Sequence, residues 1–123
     1  MKIYLGPYVS SDEETRVEEL EFHPYDSWNL DVTLAQIIQP LLLQLRDTTH
    51  GYPSLLSNDG EVDTGFDAWK SCLTKMAWSF EQVQTLQDSE ETHSRSNDDL
   101  QKYYAQIQDG LDLFAKHYLS LWD

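Results

Sequence analysis

A single cysteine, Cys72, stands in 123 residues. No internal disulfide is possible, and zinc sites built on several thiolates are excluded. A reducing cytoplasm is the setting this implies. Positive charge is scarce as well: eight Lys and Arg face twenty-two Asp and Glu, for a net charge of −14. Direct binding to nucleic acid requires cations that displace counterions from phosphates, so that class is excluded. An anionic membrane surface repels the chain for the same reason. Long apolar runs are missing too. The longest, around residues 37–45, is interrupted by Gln39, Pro40 and Gln44, far short of the roughly 20 residues a membrane helix needs. Met1-Lys2-Ile3-Tyr4-Leu5 stops at Gly6-Pro7, which does not read as a signal peptide. There is no Gly-rich phosphate loop, nucleophile elbow or His-Glu-x-x-His, so neither enzymatic activity nor a cofactor is expected.

What is present is bulk and periodicity. Four Trp, seven Tyr and four Phe within an apolar fraction of 40 % suffice for a real core, and the length suits one domain spanning 1–123. Lys2 to Leu5 reads as a short strand. A second strand ends at His23, with Val17, Leu20 and Phe22 among Glu18, Glu19 and Glu21; the alternation holds from Glu19 to Phe22 and fails at Glu18. Between them residues 10–16 form an acidic loop. The spacing of Leu30, Leu34, Ile37, Ile38, Leu41, Leu42 and Leu45 predicts a first helix. Asn29 or Asp31 caps it, Pro40 kinks it, and Gly51 supplies a left-handed residue at its end. Phe66, Trp69, Leu73, Met76, Ala77 and Phe80 mark a second helix starting near Asp63 or Thr64, with Trp78 off the stripe. A polar linker covers about 84–97. Leu100, Tyr103, Tyr104, Ile107, Leu111, Phe114, Tyr118 and Leu121 mark a third helix, capped by Ser96 or Asn97. Gly110 in its middle costs about 1 kcal/mol against Ala and points to a close neighbouring helix. The predicted fold is α+β and mostly helical: a short two-stranded β element packed on a three-helix core. Helices one and three are expected to meet through Leu34, Ile38, Leu42, Leu111, Phe114 and Tyr118.

Four residues carry the only metal or acid–base candidacy: His23, Asp26, Asp31 and His50. The competing reading makes Asp26 a turn carboxylate and Asp31 a first-turn helix carboxylate, with Trp28 anchoring the turn in the core. His117 is placed on the edge of the third helix. Cys72 is read as a semi-buried, inert thiol beside the Trp69–Leu73–Met76 stripe. Acidic clusters at Glu18, Glu19 and Glu21, and at Glu90, Glu91, Asp98 and Asp99, are candidates for contacting a basic surface. Trp78 and Trp122 are the aromatic alternatives. Solvated loops that merely keep the domain soluble are the plainer reading of the acid.

Three blocks resemble one family. Asp26-Ser27-Trp28-Asn29-Leu30-Asp31-Val32-Thr33-Leu34-Ala35, continued by Pro40-Leu41-Leu42, Gln44-Leu45 and His50-Gly51-Tyr52-Pro53, is the first. Met76 to Glu81 is the second, and Ile107 to Tyr118 with Leu121-Trp122-Asp123 is the third. Together they resemble small uncharacterised proteins encoded by tailed bacteriophages. That resemblance implies a phage origin, a single domain and no assigned activity or catalytic residue. The expected function is that of a phage accessory protein, for host takeover or anti-defence, in the host cytoplasm during infection. It would bind a basic or nucleic-acid-binding host protein stoichiometrically, in the sharper form as a nucleic-acid mimic. A homo-oligomer is compatible with this. The rival expectations are a structural or assembly protein of the virion and a small metal-binding protein or enzyme using His23, Asp26, Asp31 and His50.

Overall fold

The computed structural model describes residues 2–4, 19–53, 64–86 and 96–122. In chain order these form strand β1 (Lys2–Tyr4), strand β2 (Glu19–Glu21), a 3-10 turn at Pro24–Ser27 and helix α1 (Leu30–Thr48). Helix α2 (Thr64–Thr85), helix α3 (Asn97–His117) and a closing 3-10 turn at Tyr118–Ser120 follow. The chain is therefore mostly helical α+β with a three-helix core, the class its periodicity predicts. The strands pair antiparallel, with Ile3 opposite Leu20. Leu20 and Phe22 are nevertheless exposed, so the apolar alternation of β2 is not buried as expected. Three residues per strand cover too little surface to hold a sheet face on a bundle. Val17 and the acidic loop at 10–16 lie outside the described residues.

Helix α1 begins after Asn29, whose side chain makes no capping bond. Its ψ of 60° is not the extended conformation that aims a cap oxygen at the first free amides. The helix runs through Pro40 without interruption. Pro40 and Gln36, whose carbonyl loses its partner there, are both exposed, so water can satisfy the freed oxygen. At the other end the backbone turns extended at Thr49 (φ −65°, ψ 141°). The buried Thr49 hydroxyl donates to the Gly51 carbonyl at 3.0 Å. A threonine turn, rather than a left-handed Gly51, ends the helix.

Helix α2 is central. Trp69, Leu73, Met76, Ala77, Ser79 and Phe80 are all buried on it, because it is covered from two sides. Gln84 near its end donates to the Ala35 carbonyl near the start of α1 at 3.3 Å, so α1 and α2 are antiparallel. Gln84 and Thr85 thus belong to α2 and not to a linker, and α3 begins at Asn97. Ser96 caps α3 by accepting from the Asp99 amide at 3.3 Å. Along α3, Tyr103 donates to Gln82 of α2, and the His117 ring meets Trp69 edge-on with centroids 5.5 Å apart. That makes α2 and α3 antiparallel as well.

The predicted direct packing of α1 on α3 is not what forms. Each packs on α2, and where the outer helices approach, Ile38, Leu41, Leu42 and Leu45 face Phe114 and Leu121 across an apolar groove of about 280 Å³. Leu42 is buried, and Phe114 meets Phe80 with ring centroids 4.9 Å apart. Leu34 and Tyr118 remain exposed. The cause is the size of the residues at the contact lines. Ala35 is wholly buried against α2. A Cβ on Gly110 would fall on the Ser79 hydroxyl and lie 2.7 Å from both Ser79 Cβ and the Lys75 carbonyl oxygen. Small residues draw both outer helices tightly onto α2 and leave the larger side chains on the flanks.

Candidate functional site

The contact at Gly110 shapes a depression of the described surface. One stripe of α2 (Thr74, Lys75, Trp78) and one of α3 (Gln106, Asp109, Gly110, Leu113, Lys116) diverge from that contact and enclose a groove of about 660 Å³. Its volume falls within the roughly 300–1,000 Å³ typical of ligand and peptide sites. Trp78 and Leu113 give it an apolar lining, while Lys75, Lys116, Asp109 and Asp112 stand around the rim. Trp78 is half-buried and held edge-on by Tyr103, with centroids 6.0 Å apart and planes at 87°. The Tyr103 hydroxyl is in turn tied to Gln82. An indole fixed in this way offers a rigid face with little conformational entropy left to lose, as binding anchors do. The position of Trp78 off the main stripe of α2 is the sequence signal for it. On the α3 half the signal is Gly110, whose place in mid-helix points to a close neighbour, while Asp109 and Leu113 read as ordinary surface and core.

The other candidates are placed differently. His23 caps the 3-10 turn: its Nδ1 accepts from the Tyr25 amide at 3.2 Å, and Asp26 Oδ2 accepts from the His23 amide at 2.8 Å. Asp26 is therefore the turn carboxylate of the structural reading. Asp31 is exposed in the first turn of α1, and His50 is exposed beyond its end. No group of three or more His, Cys, Asp or Glu able to hold a metal occurs among the described residues. Trp28 does not anchor the turn in the core. It is 75 % exposed and packs edge-on against Tyr25, which stacks on His23. The aromatic contacts of this turn among His23, Tyr25 and Trp28 are local.

Of the acidic candidates, Glu21, Asp98 and Asp99 are exposed, and Glu19 lies on β2. Glu18, Glu90 and Glu91 fall outside the described residues. Of the net charge of −14, the described residues carry only −5, eleven carboxylates against six Lys and Arg, so −9 falls on the remaining segments. Trp122 is 75 % exposed just beyond the closing turn. Cys72 is half-buried against the core, as the helical spacing predicts.

His117 is a correction. It is not on the edge of α3 but buried beneath Trp69. Burial, and secondarily the neighbouring Lys116 charge, lower its pKa from the ordinary 6.5. A base whose folded pKa is depressed binds its proton more readily in the unfolded chain. Its contribution is therefore intact above pH 6.5 and is lost progressively as pH falls below that value toward the lowered folded pKa. Overall stability depends on pH through more than one group, so the test is a comparison. The melting temperature of wild type minus that of His117→Gln should decrease from pH 7.5 to pH 5. A difference that is flat or rises on acidification would show that His117 is not buried in its neutral form.

No protein family, curated protein or solved structure matches this chain.

Proposed function

We propose that this protein acts by stoichiometric binding of a basic, nucleic-acid-binding protein, with the α2–α3 groove as the contact point and the net negative charge as the long-range attraction. The observation that carries the reading is the groove itself: a preformed volume of about 660 Å³ with the Trp78 indole on its wall and charges of both signs at its rim. Apolar walls with a few rim charges suit a protruding apolar or cationic segment of a partner. The surrounding charge of −14 favours approach by a basic body and disfavours an acidic one. The resemblance to tailed-phage proteins supports a phage accessory role in the host cytoplasm during infection. Mimicry of nucleic acid is the sharper form of the same proposal, and it draws chiefly on carboxylates outside the described helices, including Glu18, Glu90 and Glu91.

The experiment is a titration of the partner captured from host lysate against wild type and two sets of variants. Trp78→Ala should weaken binding about tenfold or more, as loss of an aromatic anchor does, with the helical circular dichroism unchanged. Charge reversal at Glu18, Glu19 and Glu21, or at Glu90, Glu91, Asp98 and Asp99, should slow association. Raising salt should slow it too, since attraction is screened over about 8 Å at physiological ionic strength. DNA or RNA should compete for the partner. Binding that is indifferent to salt, to nucleic acid and to Trp78 would refute the reading and direct attention to Trp122.

A further inference from the structure

The turn before α1 holds aromatic bulk out of the core. Phe22, Tyr25 and Trp28 are all exposed, Trp28 at 75 %. The Trp28 amide donates to the Tyr25 carbonyl, and residues three apart in a 3-10 turn stand on one side of it. The two rings meet at 75° with centroids 4.7 Å apart, and His23 stacks on Tyr25 at 4.9 Å. The indole is thus steadied by Tyr25 while most of its surface stays open. The charge around it has one sign. Between Arg16 and Arg46 the chain carries no Lys or Arg, but it carries Glu18, Glu19, Glu21, Asp26 and Asp31. The helices repeat the bias. Because α1 and α3 both run antiparallel to α2, their first turns share one end of the bundle, where Trp28 leads into α1. Asp31, Glu81, Asp98 and Asp99 are exposed on that half against Lys102 alone. On the other half four carboxylates are matched by Arg46, Lys70, Lys75 and Lys116. The net charge of the three helices therefore falls at the Trp28 end.

We infer that this turn binds an arginine-bearing basic segment, with one guanidinium stacked on the Trp28 indole and the surrounding carboxylates facing the segment's other cations. A ring face is negative and attracts a cation, most strongly for Trp. A guanidinium is planar and more weakly hydrated than an ammonium, so it stacks on the indole at a smaller desolvation cost than lysine. The amide dipole at the start of α1 opposes a cation here, and the exposed Asp31 in its first turn offsets it. Other occupants fit poorly. A second copy would set the same carboxylates against these, and nucleic acid or an anionic lipid surface is repelled. An aliphatic segment would cover one ring and desolvate the carboxylates beside it with no donor in exchange. This contact lies apart from the α2–α3 groove. It deepens the proposed binding of a basic partner and rests on that reading only for the source of the segment.

The probe is acetylated triarginine amide, titrated at low salt into the full chain labelled with nitrogen-15. The four Trp give four indole N–H signals. Those of the Trp28 indole and the Tyr25 amide should shift and saturate, with a Kd on the order of 1 mM. Trp28→Ala, read at the Tyr25 amide, should weaken binding about fivefold or more with the helical circular dichroism unchanged. Asp31→Asn should weaken it about twofold. Acetylated trilysine amide, of the same charge, should bind about threefold or more weakly than the arginine peptide. Equal binding of the two peptides, or a Trp28→Ala protein with wild-type affinity, would overturn the inference. So would shifts confined to the Trp78 indole, which would put the cation in the α2–α3 groove, or shifts spread evenly over every exposed carboxylate. The proposed function fails by a separate result: a captured partner indifferent to salt, nucleic acid and Trp78 leaves the peptide titration unchanged.

Discussion

Gly110→Val should unfold this protein or leave it with α3 detached, and Gly110→Ala should already destabilise it by about 1–2 kcal/mol. The sign of the second expectation is what makes it informative. In an unobstructed helix, replacing Gly by Ala gains about 1 kcal/mol of helix propensity. At position 110 the new methyl would fall on the Ser79 hydroxyl and within 2.7 Å of the Lys75 carbonyl oxygen. The hydroxyl can rotate, but the carbonyl belongs to the backbone of α2 and cannot move without moving the helix. Overpacking of this kind costs about 1–3 kcal/mol for a small group. A branched side chain would force α2 and α3 apart and expose Tyr103, Ile107 and His117, which are buried between them. Domains of this size hold only about 5–15 kcal/mol of stability, so that separation removes most of it. Urea unfolding followed by circular dichroism measures each step. Ser79 supplies the control, since its hydroxyl is buried without a hydrogen-bond partner among the described residues. Ser79→Ala alone should therefore stabilise by about 1 kcal/mol. In the Gly110→Ala background it should recover only part of the loss, because the Lys75 carbonyl remains. A Gly110→Ala variant more stable than wild type would mean that the helices stand further apart than described.

The same small residues explain which parts of the fold the sequence discloses. The stripe of α2 is legible because this helix is buried on both sides, so its large apolar residues and its buried residues coincide. The outer helices mislead. Their contact lines run through Ala35 and Leu42 on α1, and through Tyr103, Gly110 and His117 on α3, each set spaced by seven. Those lines contain an alanine, a glycine and a histidine, while Leu30, Leu34, Leu41, Tyr104 and Tyr118 lie beside them. Apolar bulk finds Leu42, Tyr103 and Ile107 but also enrols exposed neighbours and misses His117, which a heptad count from Gly110 would have found. Capping is legible at Ser96, a short polar side chain before free amides, and so is the turn carboxylate at Asp26, which accepts from the His23 amide. Asn29 carries the same signature and does not cap, because backbone conformation decides whether the side chain can reach. The groove was half legible, through Trp78. Its other wall is marked only by Gly110, and the residues that flank it depend on the register of α3 against α2, which local sequence does not determine.

That register also settles where the largest loss from a single truncation falls, at Trp69 and not at Phe114. Phe114 is only half-buried, at the edge of the α1–α3 groove, and truncating it removes contacts with Phe80 and Tyr118 while the groove partly refills with solvent. Trp69 is 1 % exposed and among the largest side chains wholly enclosed by the core. Trp69→Ala should therefore cost about 3–5 kcal/mol, the usual cost of an aromatic lost from a packed interior. Trp122→Ala, a substitution of the same chemistry at a 75 % exposed position, should stay within about 0.5 kcal/mol of wild type. The consequence for His117 is specific. The indole edge is part of what excludes water from that imidazole, so removing it should return the histidine pKa toward 6.5. The stability component that wild type loses below pH 6.5 should then be nearly absent from Trp69→Ala, while it persists in Trp122→Ala. Thermal melts of the three proteins at pH 7.5 and pH 5 read both effects together. A Trp69→Ala protein that melts with Trp122→Ala, or that keeps the full acid-dependent loss, would place neither Trp69 nor His117 where the helix register puts them.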